Sequence, residues 1–384
     1  MEQVLYGPGG YYSSGTAKSG KEGDYFTAPD VGAAFGRLLS EIFQSWKNQL
    51  HCDPFTLMEV GAGEGRLAAD ILSSFRRKPE SSALDPGFRR GDSCVRYIAV
   101  ERSPGRLEAL KKLSPVEVLS DLESAPPMEG VLFGNELIDA FPVHRVRMKN
   151  GKLEEMYVGA GTRTAPTIQW SSPSTPRLQS YFDRLGITLP EDYETEVNLA
   201  MSDWLRQASR VLKRGILLLI DYGRPSHDYY APERSKGTLR CFSGHQVIDP
   251  FAVMPEQAGT QSKNALGHGF RRGDDVDWTS DVDFTSLALD AREAGFTPLA
   301  FMEMGTFLMM GVSAVLNSTG GQPAAPTGLR YLLHPEGLGA AFHVLILGKN
   351  VDSTKWIFEH NRLRRLGLQG RPAGRPVGQY DDPH

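Results

Sequence analysis

Glu59, Gly61, Gly63 and Gly65 stand at alternate positions directly after the apolar run Phe55-Thr56-Leu57-Met58. Glycine adopts backbone conformations closed to other residues and lets the main chain approach a ligand closely. The spacing departs from the Gly-x-Gly-x-x-Gly turn that cradles a pyrophosphate, and a carboxylate two residues before the first glycine would repel such an anion. A cationic ligand suits the set better. The alternative is a glycine turn that serves tight packing alone.

Glu101 ends the next apolar run, Val95-Arg96-Tyr97-Ile98-Ala99-Val100. An acid that takes ribose hydroxyls is expected about 20 residues after the glycines. The observed separation is longer, and discounting residues 83–92 as an insertion restores it. Asp121-Leu122 follows a third short run, 116–119, where a side chain can meet an adenine amino group. Glycine turn, Glu101 and Asp121 in this order point to an adenosyl-sulfonium with a free amino group, S-adenosyl-L-methionine. The analogy is with the dinucleotide fingerprint.

Other local chemistries find no support. Residues 15–22 approach a Walker A loop, but Glu22 stands where a magnesium-binding Ser or Thr is required and no apolar strand precedes it. Neither Gly-x-Ser-x-Gly nor His-Glu-x-x-His occurs, and the nine histidines show no paired ligand spacing, so no metal is expected. His144 and His245 read as structural. The three cysteines share no Cys-x-x-Cys spacing, which suggests neither a disulfide framework nor a zinc site.

The elements that must position these residues alternate. Apolar runs at 55–60, 95–100, 131–136 and 215–220 each end in polar or glycine residues, and the first two lead into helical patterns. Such alternation predicts an α/β fold with a mostly parallel, doubly wound sheet, and functional residues at the carboxyl ends of its strands. Apolar residues from Val31 to Phe43 recur at helical spacing, with Asp30 or Thr27 as the expected cap. The Gly- and Tyr-rich start reads as a structured, ligand-facing loop, in which Tyr11, Tyr12, Phe26 and Thr27 form a lid over the cofactor. Residues 83–92 recur at 265–274 with eight of ten positions identical, and read as duplicated surface-loop insertions. The expected organisation is an N-terminal cap and lid over 1–50 and a cofactor-binding half over 51–150. The rest of the core, with an inserted substrate lobe, follows over 151–349, and a flexible basic tail over 350–384.

The 384 residues are 40% hydrophobic and 23% charged, with a formal net charge of −4, a globular composition that excludes disorder. Near-neutral charge gives no reason to expect nucleic acid as a partner. The apolar stretch near 301–316 is interrupted by Glu303 and falls short of a membrane span, so no membrane insertion is expected. No export or import signal is recognisable after Met1. The expected location is the cytoplasm, or the mitochondrial matrix if the source is eukaryotic and the N-terminus is truncated.

Several blocks, in order, resemble one family. These are Gly10-Tyr11-Tyr12-Ser13-Ser14-Gly15, Asp24-Tyr25-Phe26-Thr27-Ala28-Pro29, Glu59-Val60-Gly61-Ala62-Gly63, Asn135-Glu136-Leu137-Ile138-Asp139-Ala140-Phe141-Pro142, Asp221-Tyr222-Gly223 and Val282-Asp283-Phe284. They resemble the MidA/NDUFAF7 family of class I, S-adenosyl-L-methionine-dependent methyltransferases, over residues 1 to about 349. The resemblance implies a Rossmann-like core with an N-terminal cap and a smaller inserted lobe. It also implies protein arginine methylation, with symmetric dimethylation of a respiratory complex I subunit and a role in assembly of that complex. The repeated loops lie outside the family pattern, and the family has a helix before Leu5-Tyr6, so the chain is expected to start late.

Arginine stays protonated in proteins, so a carboxylate that forks the guanidinium and draws charge from the attacking nitrogen is the expected device. Glu136 is the first candidate, by its resemblance to substrate-binding glutamates of other arginine methyltransferases, and Asp139 the second. Tyr12, Thr27, Glu59, Gly61, Gly63, Gly65, Glu101, Asp121, Leu122 and Asn135 are assigned to the cofactor. Asn135-Glu136 as a helix-capping pair is the plainer alternative, and Asp221 reads equally well as structural. At the level of function, the alternatives are a non-catalytic S-adenosylmethionine-binding assembly factor and a methyltransferase acting on a small molecule or another side chain.

Overall fold

A computed structural model of the chain describes residues 1, 2, 5, 11, 12, 28–77, 95–159, 167–243, 246–248, 277–319, 328–334, 337–358 and 360–368. In chain order the first strands are β1 (Phe55–Val60), β2 (Val95–Val100), β3 (Val116–Leu119) and β4 (Met128–Asn135). Then come β5 (His144–Lys149), β6 (Lys152–Gly159), β7 (Thr167–Ser171), β8 (Glu194–Val197) and the long β9 (Leu212–Arg224). The last are β10 (Arg240–Ser243), β11 (Gln246–Ile248), β12 (Asp277–Thr279), β13 (Val282–Asp283), β14 (Thr297–Glu303) and β15 (Phe342–Lys349). The longer helices are α1 (Ala34–Leu50), α2 (Arg66–Arg77), α3 (Pro104–Leu110), α4 (Arg177–Leu185), α5 (Ala200–Val211), α6 (Phe284–Glu293) and α7 (Met304–Thr319).

The main sheet runs β14-β15-β9-β4-β1-β2-β3, with β13 paired to β9. Its pairings are parallel except along β15, which lies antiparallel between β14 and β9. Strand side chains alternate between two buried faces. On β9, Ile216, Leu218 and Ile220 join Phe35, Phe43 and Phe307 of α1 and α7, whereas Leu217 and Leu219 join Trp204 and Leu287 of α5 and α6. Helices therefore cover both faces, and the expected class I, Rossmann-like core is present. The chain reverses direction across the sheet between β1 and β4, the topological switch point where open α/β sheets take ligands.

A second, antiparallel sheet, β7-β6-β5-β8, carries α4 and its own small core. It begins at His144 rather than at 151, because β5 pairs with both β6 and β8. A third sheet, β11-β10-β12, is small, and from Val282 onward the chain is back in the main sheet.

Three local expectations need correction or fall outside the described residues. Helix α1 starts at Ala34 with no side-chain cap, and Asp30 sits in the preceding turn, where it pairs with Arg66 at 2.5 Å. Arg66 thus takes the carboxylate that was expected to cap the helix. Residues 350–358 and 360–368 are not a loose tail: Trp356 packs edge-on to Trp46 at 5.8 Å, and Phe358 and Leu366 are buried. Asn361 donates to the Leu299 carbonyl at 2.8 Å and accepts from the Phe301 amide at 3.2 Å, while the Arg362 amide donates to the Phe301 carbonyl at 2.7 Å. Indole and phenyl burial and these backbone bonds outweigh the basic, Gly-rich composition of the stretch. Both repeated loops, and residues 369–384, lie outside the described residues. Among the described residues no helix is long and apolar enough to cross a membrane.

Candidate active site

A cavity of about 990 Å³ opens at the carboxyl ends of β1, β2 and β4. Its floor is the glycine turn. The amides of Gly61 and Ala62 both donate to the Val100 carbonyl, at 2.9 and 3.2 Å, hanging the turn on β2. Gly63 has φ +57°, and a Cβ there would meet nothing within 4 Å. Gly65 has φ +83°, and a Cβ there would collide with Leu113 and lie 2.7 Å from Leu110. The two glycines thus do different work: Gly63 bares the backbone toward the cavity, and Gly65 allows close packing under α3.

Glu101, buried at the end of β2, accepts from the Gly63 amide at 2.9 Å and from the Ser103 amide at 2.8 Å. It locks the turn and still lines the cavity. Ser103 in turn donates its hydroxyl to the Tyr12 carbonyl at 2.5 Å. Glu59, only 4% exposed, accepts from the Tyr97 hydroxyl at 2.5 Å. Burial pushes its carboxyl up to about 8, the Tyr97 hydrogen bond pulls it down and the nearby Glu101 charge raises it. Without a ligand Glu59 is therefore largely a neutral acid at pH 7, which corrects its reading as a standing anion. A cation bound beside it would favour its ionised form.

Asp121 and Leu122 both line the cavity, but Asp121 is committed locally. Its carboxylate accepts from the Ser124 amide at 2.7 Å and the Ser120 hydroxyl at 2.9 Å, and these bonds hold its pKa below the usual range. Leu122 is buried among the apolar residues beside β2 and β4.

On the other wall, the Asn135 amide donates to Glu136 Oε1 at 3.0 Å, and Glu136 also accepts from the Ala28 amide at 3.3 Å. Among the described residues Asn135 Oδ1, which is buried, has no hydrogen-bond partner. Glu136 sits at φ +51°, a left-handed conformation uncommon for a side-chain-bearing residue and concentrated at functional sites. Its amide bonds the Ile220 carbonyl at 2.9 Å, continuing the β4–β9 ladder as the chain turns. Burial, with Asp139 nearby, raises the Glu136 carboxyl well above its ordinary value. Asp139 is raised likewise, by burial and by Asp221 and Asp277.

Asp221 shapes this wall from β9. Its Oδ2 accepts from the amides of Leu137, Ile138 and Asp139, at 3.2, 2.8 and 3.3 Å, and Oδ1 from the Tyr222 amide at 2.9 Å. The structural reading of Asp221 thus accounts for all four bonds. Tyr12 lines the cavity, with its hydroxyl donating to Asp277 at 2.6 Å. Thr27 and Phe26 lie outside the described residues, as does His245, and His144 pairs with Glu155 at 2.7 Å in the second sheet.

The structure therefore brings Tyr12, Glu59, Gly61, Gly63, Glu101, Asp121, Leu122, Asn135, Glu136 and Asp139 to one cavity, with Gly65 beneath it. Sequence reasoning missed Tyr97 and Asp277. Tyr97 reads as one apolar residue in a strand, and Asp277 follows a repeated insertion, 265 positions from the tyrosine that holds it.

A bared backbone at Gly63, an orphaned acceptor at Asn135 and buried carboxyls at Glu59 and Glu101 fit a ligand rich in donors and positive charge. A profile of the family described as "Putative S-adenosyl-L-methionine-dependent methyltransferase" matches residues 35–302. The mouse mitochondrial protein arginine methyltransferase NDUFAF7 is 24% identical over 90% of this chain and 79% of its own length. A Burkholderia thailandensis protein crystallised with S-adenosyl-homocysteine is 26% identical, with a TM-score of 0.71, over 91% of this chain and 87% of that one. A native crystal structure of a protein of the same superfamily from that organism is 25% identical with a TM-score of 0.70, covering 94% and 88%. With its sheet order, its glycine turn and this match, the chain belongs to the MidA/NDUFAF7 family of class I, S-adenosyl-L-methionine-dependent methyltransferases.

Proposed function

We propose that the methyl acceptor is an arginine side chain of a protein. The observation that carries this reading is Glu136, turned at φ +51° into a cavity wall that also holds Asp139 and Asp277. Bound S-adenosyl-L-methionine supplies an electrophilic methyl group. Gly61, Gly63, Glu101, Leu122 and Asn135, all in the cavity lining, would hold it, together with Glu59.

The chain's own task is to hold and polarise the acceptor. A guanidinium offers five donors in a plane and matches carboxylates two bonds at a time. Burial and their mutual repulsion raise the wall carboxyls, and an arriving guanidinium favours their ionisation. Glu136 paired to two guanidinium nitrogens draws the positive charge toward them and leaves the third more nucleophilic. Asp139 assists from the same turn, which Asp221 holds by its backbone.

Relatives named as protein arginine methyltransferases support this acceptor class. The family resemblance further suggests symmetric dimethylation of a respiratory complex I subunit as the partner reaction, in the cytoplasm of a bacterium or the matrix of a mitochondrion. The test is transfer of labelled methyl into cell extract, followed by hydrolysis and separation of the modified amino acids. Label in methylarginine, lost in Glu136→Gln while S-adenosyl-homocysteine affinity changes by less than about threefold, is the expected result. Label confined to methyl-lysine or to small molecules overturns it.

A further inference from the structure

The strand order divides the cavity. The glycine turn follows β1 and Glu101 follows β2, while β9 lies on the other side of β4, so the end of β9 stands beyond Glu136 as seen from the glycine turn. There Tyr222, of the Asp221-Tyr222-Gly223 block, lines the cavity. Its ring packs on the same apolar face as Ile216, Leu218 and Ile220 and lies on Phe342 of β15, with centroids 3.8 Å and planes 35° apart. Tyr222 is half-buried and its amide donates to Asp221, but among the described residues its hydroxyl has no hydrogen-bond partner. A hydroxyl so placed ordinarily finds one. Burial raises its pKa, the nearby charges of Glu136 and Asp139 raise it further, and Arg240, which opposes them, is ion-paired with Asp281. The Glu136 amide bonds the Ile220 carbonyl, two residues before Tyr222, so the two side chains leave neighbouring strand ends. Glu136 accepts from Asn135 and Ala28 through Oε1. Hydroxyl and carboxyl thus feel one another without bonding, and both line the cavity. A group that carries several N–H donors can bond both.

We infer that the Tyr222 hydroxyl is a direct contact to the methyl acceptor, taking a hydrogen bond from the attacking nitrogen while Glu136 holds the rest of the guanidinium. The inference rests on the arginine reading and deepens it. A protonated hydroxyl keeps oxygen lone pairs that accept from N–H, and a bond from β9 turns the nitrogen toward the cofactor side of the cavity. The Phe342 stack fixes the ring that carries this hydroxyl, so its position does not depend on the ligand.

The test is NMR of protein saturated with S-adenosyl-homocysteine, its tyrosines isotope-labelled at the ring carbon that bears the hydroxyl. The probes are N-acetyl-arginine amide and N-acetyl-lysine amide, on wild type and Tyr222→Phe. The Tyr222 signal, assigned by its absence from the variant, should shift as the arginine probe is added. Tyr222→Phe keeps the ring and removes only the hydroxyl. Its affinity for the arginine probe should fall about tenfold, with melting temperature and S-adenosyl-homocysteine affinity unchanged. A Tyr222 signal that does not move, or undiminished arginine affinity in Tyr222→Phe, overturns the inference and leaves the arginine reading standing. Equal losses of probe and S-adenosyl-homocysteine affinity, or a variant that does not fold, mark the hydroxyl as structural and overturn the inference as well. A wild type that favours the lysine probe, or binds neither, overturns both.

Discussion

The Tyr97 hydroxyl donates to Glu59 across 2.5 Å, joining the middle of β2 to the end of β1 at the cofactor cavity. The bond keeps a carboxyl in a place where burial favours its neutral form. Cofactor, proton and fold stability are therefore linked at this residue.

Binding of the cationic cofactor at pH 7 should release protons from Glu59, whose pKa of about 8 in the free protein falls as positive charge arrives. Calorimetry of S-adenosyl-L-methionine binding in buffers of different ionisation enthalpy measures the release. A release no smaller in Glu59→Gln would refute the linkage. The stability sign is set by the raised folded value. Protonated Glu59 contributes fully below the ordinary carboxyl range, and that contribution is lost as pH rises through about 8. In denaturant melts Glu59→Gln should therefore match wild type in stability near pH 5 and exceed it above pH 8, by an increment on the order of a few kcal/mol.

Alanine at Gly63 and at Gly65 should separate binding from folding. Both sit at positive φ, a cost of about 1 kcal/mol for a side-chain-bearing residue. Gly65→Ala also drives a methyl into Leu113 and Leu110, for about 1–3 kcal/mol more. Gly63→Ala should keep most of its stability and lose S-adenosyl-homocysteine affinity. Thermal melts beside calorimetric titrations check this, and equal melting losses in the two variants would contradict it.

Glu101→Ala removes the acceptor of both the Gly63 and the Ser103 amides, leaving buried donors unmet. A loss of about 1–3 kcal/mol of stability is expected together with at least about tenfold weaker cofactor binding. Glu101→Gln can still accept one of the two bonds and should fall between. The same denaturant melts and titrations rank the three proteins.

Asp221→Asn should act on the acceptor wall without touching the cofactor. An amide cannot accept on both sides, so it must face either the Tyr222 amide or the Leu137-to-Asp139 amides with its own donors. The expected cost is about 1–3 kcal/mol, with S-adenosyl-homocysteine affinity retained. Amide hydrogen exchange over residues 136–141 should speed up in the variant.

The sheet was legible because its strands end where polar chemistry begins. Val60 precedes the first glycine, Val100 precedes Glu101, and Asn135 closes β4, so periodicity and punctuation agreed. The antiparallel β15 was not legible, since a buried strand reads the same in either direction. Nor was the start of the second sheet, because β5, with basic residues at four of its six positions, shows as a strand only through its pairing with β6 and β8. At the site, residues that act through spacing alone stood out. Those that act through a contact, such as Tyr97 on Glu59 or Tyr12 on Asp277, did not, because burial and pairing are properties of the folded chain. Asp30 shows the converse, a capping residue by type whose carboxylate Arg66 takes instead.

Strand β14 ends the main sheet with one side paired to β15. Along its other side the main-chain groups of Leu299 and Phe301 are met by Asn361 and Arg362, a side chain and a single amide standing in for a neighbouring strand. Such an open border is a template for pairing with another molecule. The Asn361 and Arg362 contacts should therefore guard this border against self-association. Asn361→Ala, which strips this cover but keeps Trp356 and Phe358 in the core, should leave S-adenosyl-homocysteine binding intact, while light scattering reports aggregates that the wild type does not form.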